Sequence, residues 1–440
     1  MRFHWWMIPA AIALVLVIAV ICLTGYIRSM LPWRNIVAIT SNMNLELPDG
    51  LRSFAVGGER DYSTLPELLT MEDGTTVTSA EQFEERKEEI LQLFEQYVYG
   101  SMPEEGYETA FEIVEEGEAL DGAAIRKQIR ITVSTEKGSS DALMLLYLPV
   151  SDDPVPVVIG LNSSGNHCVY DDPEILPSYT CEDDETTIEE NRGSKSYRWC
   201  VETLIDRGYG LATIYFEDFA PDSADEYASR VISLFDDEDF MAVGAWAFGI
   251  SRGIDYLVTD SAVDADRIAD IGHSRLGKAA IWAGANDERI ALVISNDSGD
   301  TGASLSRSNH GETVKSINAF FPHWFCENYS SYGGNEEELP VDQHMLLACI
   351  APRQIYVAAA EDDLWSDPVG AWNSLLYSRD AFELYGLETI EGEVITDGSE
   401  MTDSDIRLFS ESMGWHIRSG WHDMTETDWA NYLDYMDQYL

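Results

Sequence analysis

The stretch that most constrains the fold of this chain is residues 264–280, which read DADRIADIGHSRLGKAA. Its first part, which ends at Ile271, is β-prone, Gly272 permits a sharp reversal, and the residues from Ala279 onward favour a helix. Ser274 therefore lies at the corner between a strand and a helix. A serine in such a turn is held above the sheet, and the N-terminus of the helix lies beneath it. This context predicts that Ser274 is a nucleophile, although the second glycine of the usual G-x-S-x-G pattern arrives one residue late.

A second serine, Ser251, matches the G-x-S-x-G pattern fully, at residues 249–253. The apolar residues around it recur every three to four positions, which is the period of a helix, and no strand-like run precedes the motif. The hydroxyl of Ser251 is therefore expected to lie mid-helix, bonded to a backbone carbonyl or to water. Because the pattern is informative only between a strand and a helix, the sequence favours Ser274 over Ser251.

The rest of the chain alternates between strand and helix patterns. Nearly continuous apolar runs at 143–150 and 154–162 are typical of strands buried on both faces of a mostly parallel sheet. Downstream, strand-like runs alternate with helical patterns as far as a final helix at residues 426–440. This alternation predicts a three-layer α/β fold with right-handed crossovers. Two alternating runs, 107–116 and 122–135, predict an antiparallel extension at the N-terminal side of the sheet.

An uncharged, mostly apolar run of 23 residues lies near the N-terminus, at 5–27. A helix of that length spans about 34 Å, enough to cross the roughly 30 Å hydrocarbon core of a bilayer. Since no A-x-A-like cleavage site follows it, a transmembrane anchor is preferred over a cleaved signal for residues 1–27. The catalytic domain is then expected outside the cell membrane, or secreted if cleavage occurs. Residues 28–78 are expected to form a linker and an irregular extension, and residues 79–440 an α/β-hydrolase catalytic domain.

Composition excludes some classes of partner. The chain has 79 acidic and 27 basic side chains and a formal net charge of −52. Such a field repels nucleic acid and anionic surfaces, so nucleic acid is not expected as a partner. No C-x-x-C pair is present, so no metal site is expected. Cys168 and Cys181 either form a disulfide or stay as free thiols. No cofactor is expected either, and the oligomeric state is left open.

A nucleophilic serine needs a histidine that accepts its proton and a carboxylate that orients the histidine, and α/β-hydrolases carry them in the order Ser, acid, His. His422 follows a glycine in a turn ahead of the last helix, whereas His416 alternates with apolar residues in a strand-like run. His422 is therefore the favoured base. Two acids compete to orient it: Asp297 ends the strand after the Ser274 helix, and Asp363 ends the following strand. The sequence alone does not choose between them.

The negatively charged oxygen that forms during attack on a carbonyl needs two hydrogen-bond donors. One expected donor is the backbone N–H of Arg275, and the other comes from the loop at 160–168, in which Asn166 is a candidate. Arg275 and Lys278 lie next to Ser274 and are two of only 27 cations. These two are expected either to pair with nearby acids or to form a cationic patch for an anionic group of the substrate.

The run GHSRLGKAA resembles the G-C-S-R-x-G-K signature of the glucuronoyl esterases, a family of carbohydrate esterases with the α/β-hydrolase fold. Further similar segments cover most of residues 80–435, among them GLNSSGNH, SNDSG, FPHWFC, EDDLWSDP and HIRSGWHDMTETDW. The resemblance implies cleavage, without a cofactor, of the ester between a glucuronic acid on xylan and a lignin alcohol. A glucuronoxylan-type polysaccharide or a small ester is the implied substrate.

The same resemblance implies roles for individual residues. Ser274 would be the nucleophile and His422 the base; Asp297 stands where the family has a glutamate, and Asp363 where bacterial members can carry an alternative acid. The implied contacts with the substrate come from Arg275 at the oxyanion, Lys278 at the sugar hydroxyls, Trp365 near the sugar carboxylate, Trp324 and Asn166.

Three departures from the family pattern bear on the substrate: His273 replaces the signature cysteine, Asp297 is shorter than the family's glutamate, and SGDTGAS differs from S-G-x-G-G. Because similar bacterial sequences are often called acetylxylan esterases, the runner-up to a uronate ester is sugar deacetylation. A non-catalytic, membrane-tethered glycan-binding module is the third alternative, and it would require that the serine, the histidine or the acid be missing from the site.

Overall fold

The computed structural model describes residues 59–308, 310–399, 401 and 406–440. The predicted anchor at residues 1–27 and residues 28–58 of the predicted linker lie outside this part of the chain. Among the described helices, none combines the length and the apolar character needed to cross a membrane.

The described residues contain ten strands that form one sheet. The strands are β1 (Glu108–Ala119), β2 (Ala124–Thr135), β3 (Gly138–Pro149), β4 (Val155–Asn162), β5 (Gly210–Tyr215), β6 (Val263–His273), β7 (Leu292–Asn296), β8 (Gln354–Ala360), β9 (Arg407–Phe409) and β10 (Met413–Arg418). Their order across the sheet is β1-β2-β3-β5-β4-β6-β7-β8-β10-β9. Strands β5, β4, β6, β7, β8 and β10, which are neighbours in this order, are parallel to one another. Strands β1, β2 and β3 pair antiparallel with their neighbours. The predicted mostly parallel sheet with an N-terminal antiparallel extension is confirmed.

Helices cover both faces of this sheet. Those described are α1 (Ala80–Phe94), α2 (Glu185–Asn191), α3 (Ser196–Trp199), α4 (Val201–Asp206), α5 (Ala242–Leu257), α6 (Arg275–Asn286), α7 (Val314–Phe320), α8 (Glu327–Ser330), α9 (Gln343–Ala348), α10 (Pro368–Leu384) and α11 (Glu426–Tyr439). Neighbouring strand residues point to opposite faces. On β4, Ile159 accordingly enters a core with α5, α6, α9 and α10, while Val158 enters a second core with α4 and α11.

Two local features differ from a simple alternation of elements. The helical segment from Ser196 to Asp206 is divided into two short helices, α3 and α4, because Cys200 adopts a left-handed φ of 44° between them. The irregular segment before α1 packs onto the body of the domain rather than extending away from it. Arg60 forms a buried ion pair with Asp367, at 2.7 Å between nitrogen and oxygen, and Leu68 and Val77 join the core.

The turn between β6 and α6 consists of Ser274 alone, with φ 60° and ψ −129°. Helix α6 can start so soon after β6 because glycines let the two elements meet closely. A Cβ atom added to Gly277 would lie 2.9 Å from the carbonyl oxygen of Gly272 and from Cβ of Ser298. A Cβ added to Gly272 would overlap the carbonyl group of Leu276. The turn that the sequence predicts at Ser274 between a strand and a helix, called the elbow, is therefore built on backbone packing as well as on the serine.

We expect the variant Gly272→Ala to be destabilised by about 3 kcal/mol, because rigid backbone atoms leave no room for a methyl group. The matched control is Gly244→Ala on α5, where the nearest atom to an added Cβ is 3.5 Å away. Alanine is the better helix former by roughly 0.5–1 kcal/mol, so this control is expected to be neutral or stabilising. Equal denaturant midpoints for the two variants would contradict the close packing at the elbow.

Candidate active site

Ser274 is held in an uncommon backbone conformation at the end of the central strand β6. A positive φ in a residue other than glycine costs on the order of 1–3 kcal/mol and persists only where the surroundings enforce it. Here the backbone N–H of Ser274 donates to the carbonyl of Asn296 on β7, at 2.9 Å. The turn therefore fixes the side chain above the edge of the sheet, where Oγ lies 2.8 Å from Nε2 of His422.

His422 links Ser274 to a buried carboxylate. Its Nδ1 lies 2.5 Å from Oδ2 of Asp363, and Asp363 is 0% exposed against 23% for His422. A carboxylate only accepts hydrogen bonds, so Nδ1 carries the proton and Nε2 is free to accept one from the Ser274 hydroxyl. Burial lowers the pKa of the His422 imidazole, but the charge of Asp363 and the hydrogen bond to it outweigh burial and raise that pKa above its usual value.

The structure distinguishes the two candidate acids. Asp297 is also buried near His422, but its Oδ1 accepts the N–H of Ala360 at 2.8 Å and its Oδ2 lies 3.5 Å from the guanidinium of Arg418. Burial and the negative charge of Asp363 raise the pKa of Asp297 well above the usual range. Burial of Asp363 is outweighed by His422, which lowers its pKa. Asp363 is thus the ionised member of the pair, and it is the one that contacts His422.

The other candidate base and nucleophile lie elsewhere. His416 is buried, with Nε2 2.9 Å from Asp428 and Nδ1 2.9 Å from the Tyr356 hydroxyl, so both its nitrogens serve the core under α11. Ser251 lies in the interior of α5, as its helical surroundings predicted. The structure therefore brings Ser274, His422 and Asp363 together and leaves His416 and Ser251 apart from them.

A cavity of about 420 Å³ opens above Ser274. This size falls within the range in which proteins enclose small ligands. It is lined by the elbow and His422, by Asn162 at the end of β4 and residues 163–164 after it, and by Lys195, Arg198, Glu217 and Asp222. Arg198 forms an ion pair with Asp423 at 2.5 Å. Polar groups thus surround Ser274, and the loop predicted to supply an oxyanion donor contributes to the wall.

Asp222, which no sequence pattern indicated, lines this cavity and accepts three hydrogen bonds. Its Oδ1 accepts hydrogen bonds from Nε1 of Trp324 at 2.7 Å and from Nε2 of His323 at 2.9 Å. Its Oδ2 accepts from the guanidinium of Arg275. Burial and the charge of Arg275 lower the pKa of His323 to about 4, so its imidazole is neutral and donates. Trp324, predicted as a substrate contact, thus acts on Asp222 through its ring N–H.

Lys278 does not line the cavity with Arg275. Its side chain is 2% exposed, and Nζ donates to the carbonyls of Ser298, at 2.8 Å, and Asp300, and to Glu312 at 2.6 Å. Both cations next to Ser274 therefore have acidic partners, as the ion-pair alternative expected, and the alternative of a cationic patch for an anionic group of the substrate stays a prediction. The contact of Lys278 with sugar hydroxyls stays a prediction.

Trp365, the predicted neighbour of the sugar carboxylate, is half-buried in the same region as Lys278. Its carbonyl accepts the N–H of Glu312 at 2.8 Å, so its backbone adjoins the partner of Lys278. Trp365 is not part of the cavity wall around Ser274. Its contact with a substrate stays a prediction.

Asn166 has a structural position that corrects the expectation for it. It is fully buried, its Nδ2 donates to the carbonyl of Leu143 at 2.8 Å, and its Oδ1 accepts from Asn162 at 2.8 Å. The cavity is lined instead by Asn162, Ser163 and Ser164 from the same loop. Small residues and a turn in the sequence indicated the loop. Only the folded structure shows that the Asn166 side chain bonds to the sheet and does not face a ligand.

His273, the residue that departs from the signature, is neutral and fixed. Its Nδ1 lies 2.6 Å from Oδ1 of Asn296, whose Nδ2 donates to the Tyr432 hydroxyl at 2.8 Å. The His273 ring lies 4.5 Å from the His422 ring, centroid to centroid. Burial, and then the charge of His422, hold the pKa of His273 well below its usual value. His273 therefore packs against the base without adding a positive charge beside it.

Two described groups of side chains have donor atoms of the types that bind metals, each within 4.8 Å of one another. One is Asp297, Asp363 and His422, in which the hydrogen bonds to Ser274 and Asp363 already involve both ring nitrogens of His422. The other is His167, Cys181 and Asp183, in the loop that follows β4. Cys181 is a free thiol, as is Cys168, so the alternative of a disulfide between them is not formed here.

Comparison with known proteins agrees with this geometry. Residues 200–386 match the family described as "Glucuronyl esterase, fungi". A carbohydrate esterase, MZ0003, from an unknown prokaryotic organism is 39% identical over 396 residues, which cover 86% of this chain and 90% of that protein. A 4-O-methyl-glucuronoyl methylesterase of Schizophyllum commune is 27% identical over 348 residues, covering 75% and 76% of the two chains.

Solved structures show the same relationship. A glucuronoyl esterase from Solibacter usitatus superposes with a TM-score of 0.79 at 40% identity, over 86% of this chain and 98% of that one. A promiscuous CE15 esterase from a marine bacterial metagenome gives a TM-score of 0.79 at 37% identity, over 87% and 98%. With the assembled Ser274, His422 and Asp363, these likenesses identify the chain as a member of the CE15 glucuronoyl esterase family.

Proposed function

We propose that this protein is a serine esterase that hydrolyses 4-O-methyl-glucuronoyl esters. The observation that carries the proposal is the hydrogen-bonded series Ser274 Oγ, His422 Nε2 and Nδ1, and Asp363 Oδ2, with distances of 2.8 and 2.5 Å. These residues follow the chain order Ser, acid, His of α/β-hydrolases, and the topology of the sheet fits that fold. Family membership supplies the class of ester.

In the first half of the reaction, Ser274 Oγ attacks the carbonyl carbon of the ester while Nε2 of His422 takes its proton. The resulting imidazolium is stabilised by ionised Asp363. The negative charge that develops on the carbonyl oxygen faces the start of α6, where the N–H of Arg275 has no acceptor within the helix. His422 then protonates the departing alcohol, and the uronoyl group remains bonded to Ser274.

In the second half, water hydrolyses this acyl-enzyme. His422 removes a proton from the water as it attacks the same carbonyl carbon, and then returns it to Ser274 Oγ when the bond to the acyl group breaks. The products are the free uronic acid and the enzyme in its initial state. Every proton moves through His422, so no step in this cycle calls on a cofactor.

The setting of the reaction forms part of the proposal. A glucuronoxylan-type polysaccharide suits an enzyme that is exported, and the apolar run at residues 5–27 supports attachment to the outside of the cell membrane or secretion. The strongly negative chain suits a neutral ester better than a free polyanion, because the net charge of −52 repels anions at long range.

Replacement of the nucleophile tests the proposal directly. Ser274→Ala is expected to lower kcat on benzyl glucuronate by about 10⁴-fold or more, since attack then lacks its oxygen. Ser251→Ala, the matched control with the complete G-x-S-x-G pattern, is expected to keep wild-type rates. Turnover of acetylated xylan alone by the wild type would favour the deacetylase, and undiminished activity of Ser274→Ala would exclude Ser274 as the nucleophile.

The two acids are expected to differ sharply. Asp363→Asn should lower kcat by about 10³–10⁴-fold, because an amide cannot hold the His422 tautomer or stabilise its charge. Asp297→Asn should lower kcat by less than about tenfold, since Asp297 does not contact His422.

The dependence of kcat/KM on pH gives a second test of the site. Because neutral His422 is the base and its pKa is raised, activity should rise through an apparent pKa above about 6.5.

Asp363→Asn removes the negative charge that raises the pKa of His422. The remaining activity of this variant should therefore rise with pH at a lower pH than that of the wild type. Asp297→Asn serves as the matched control with the same change of atoms. A larger loss for Asp297→Asn than for Asp363→Asn would contradict the assignment of Asp363 as the triad acid.

A further inference from the structure

The wall of the cavity above Ser274 contains one carboxylate that receives three hydrogen bonds. Asp222 is 9% exposed, and its partners Arg275, His323 and Trp324 come from two separate parts of the chain. A buried carboxylate that is not part of the reacting series requires a reason for its position, because burial of a charge is costly unless it is well paired. The pattern of its partners supplies one.

The two oxygens of Asp222 have different roles. Oδ1 is engaged by the ring N–H groups of Trp324 and His323, which are neutral and rigidly packed donors. These two bonds fix the orientation of the carboxylate independently of its bond to Arg275. Oδ2 is left for Arg275 and accepts a hydrogen bond from its guanidinium. Asp222 therefore presents one oxygen in a fixed direction, next to the residue that follows the nucleophile.

The guanidinium of Arg275 is confined on its faces as well. It lies 5.0 Å from the ring centroid of Trp324 and 5.4 Å from that of Phe321, and those two rings stack at 3.9 Å and 6°. The side chain is 35% exposed, and Arg275 is one of the residues that line the cavity. A guanidinium has five N–H groups, so donors remain for the cavity after the bond to Asp222.

We infer that Asp222 is a positioning residue that aims the guanidinium of Arg275 at the acyl oxygen of the ester bonded at Ser274. The inference rests on the proposed function for the identity of the ester but concerns a different group of atoms. Trp324 and His323 hold Asp222, Asp222 holds Arg275, and Arg275 supplies positive charge where the oxyanion develops. Preorganised donors of this kind act because they need no rearrangement at the moment of reaction.

The ion pair between Asp222 and Arg275 has an alternative role, in which it holds Arg275 away from the substrate and must break before reaction. Loss of the Asp222 charge would then free Arg275 and raise kcat. The two arrangements therefore predict changes of opposite sign for the same substitution, Asp222→Asn.

The first measurement is the steady-state kinetics of Asp222→Asn with benzyl glucuronate. We expect kcat to fall by about tenfold to a hundredfold, while KM changes by less than about threefold, since the lost interaction belongs to the transition state. The matched control is Asp255→Asn, because Asp255 pairs with Arg252 at 2.7 Å and Arg289 at 2.8 Å outside the cavity. An unchanged or raised kcat for Asp222→Asn would overturn the inference.

The second measurement is chemical rescue, which a merely structural role would not affect. Guanidinium ion at millimolar concentration should restore part of the activity of Arg275→Ala, because Asp222 offers it the place of the lost side chain. The double variant Arg275→Ala/Asp222→Asn should show no rescue. Equal rescue in the single and double variants would show that Asp222 does not hold the cation.

Two additions keep these outcomes separate from folding and from the choice of substrate. Trp324→Phe keeps the ring and removes one N–H from Asp222, so it should lower kcat in the same direction by a smaller factor even if Asp222→Asn fails to fold. If the wild type cleaves 4-nitrophenyl acetate but not benzyl glucuronate, the proposed function fails. The same variants compared on 4-nitrophenyl acetate then decide the role of Asp222 independently.

Discussion

The geometry of the site depends on one constraint, the left-handed backbone of Ser274 between β6 and α6. Only a one-residue turn lets the helix begin directly under the serine, and that turn is possible because Gly272 and Gly277 bring strand and helix backbones into contact. The strain is offset by packing and by the hydrogen bond from Ser274 N–H to Asn296. As a result Oγ lies 2.8 Å from Nε2 of His422, and the N–H of Arg275 lies at the start of α6, where negative charge develops in the proposed reaction.

In the proposed mechanism, burial decides which carboxylate orients His422. Asp297 and Asp363 end neighbouring parallel strands, so both reach the same edge of the sheet, and sequence position could not separate them. In the folded protein the two carboxyl groups lie close together and are buried. Ionising both members of such a pair costs considerable free energy. Asp363 keeps its charge because His422 bonds to it, whereas Asp297 is held by Ala360 and Arg418.

Local patterns predicted the elements, and the fold was needed for the partners. Hydrophobic periodicity identified α5 and favoured Ser274 over Ser251, and glycine with β-prone residues identified the elbow. Asp222 was missed because a lone loop aspartate among 79 acidic residues carries no signal until Arg275, His323 and Trp324 meet around it. Asn166 was misassigned for the converse reason, since its sequence surroundings are those of a ligand loop while its side chain ties that loop to β3.

The central claim, that Ser274 is the covalent nucleophile of the esterase, is tested most directly by labelling with an alkyl fluorophosphonate. Such reagents react with serines that a neighbouring histidine activates. We predict one adduct per chain, found by peptide mass spectrometry on the peptide that contains Ser274, with loss of esterase activity in proportion to labelling. An adduct on Ser251 or another residue, or full activity in the chain labelled at Ser274, would contradict the account.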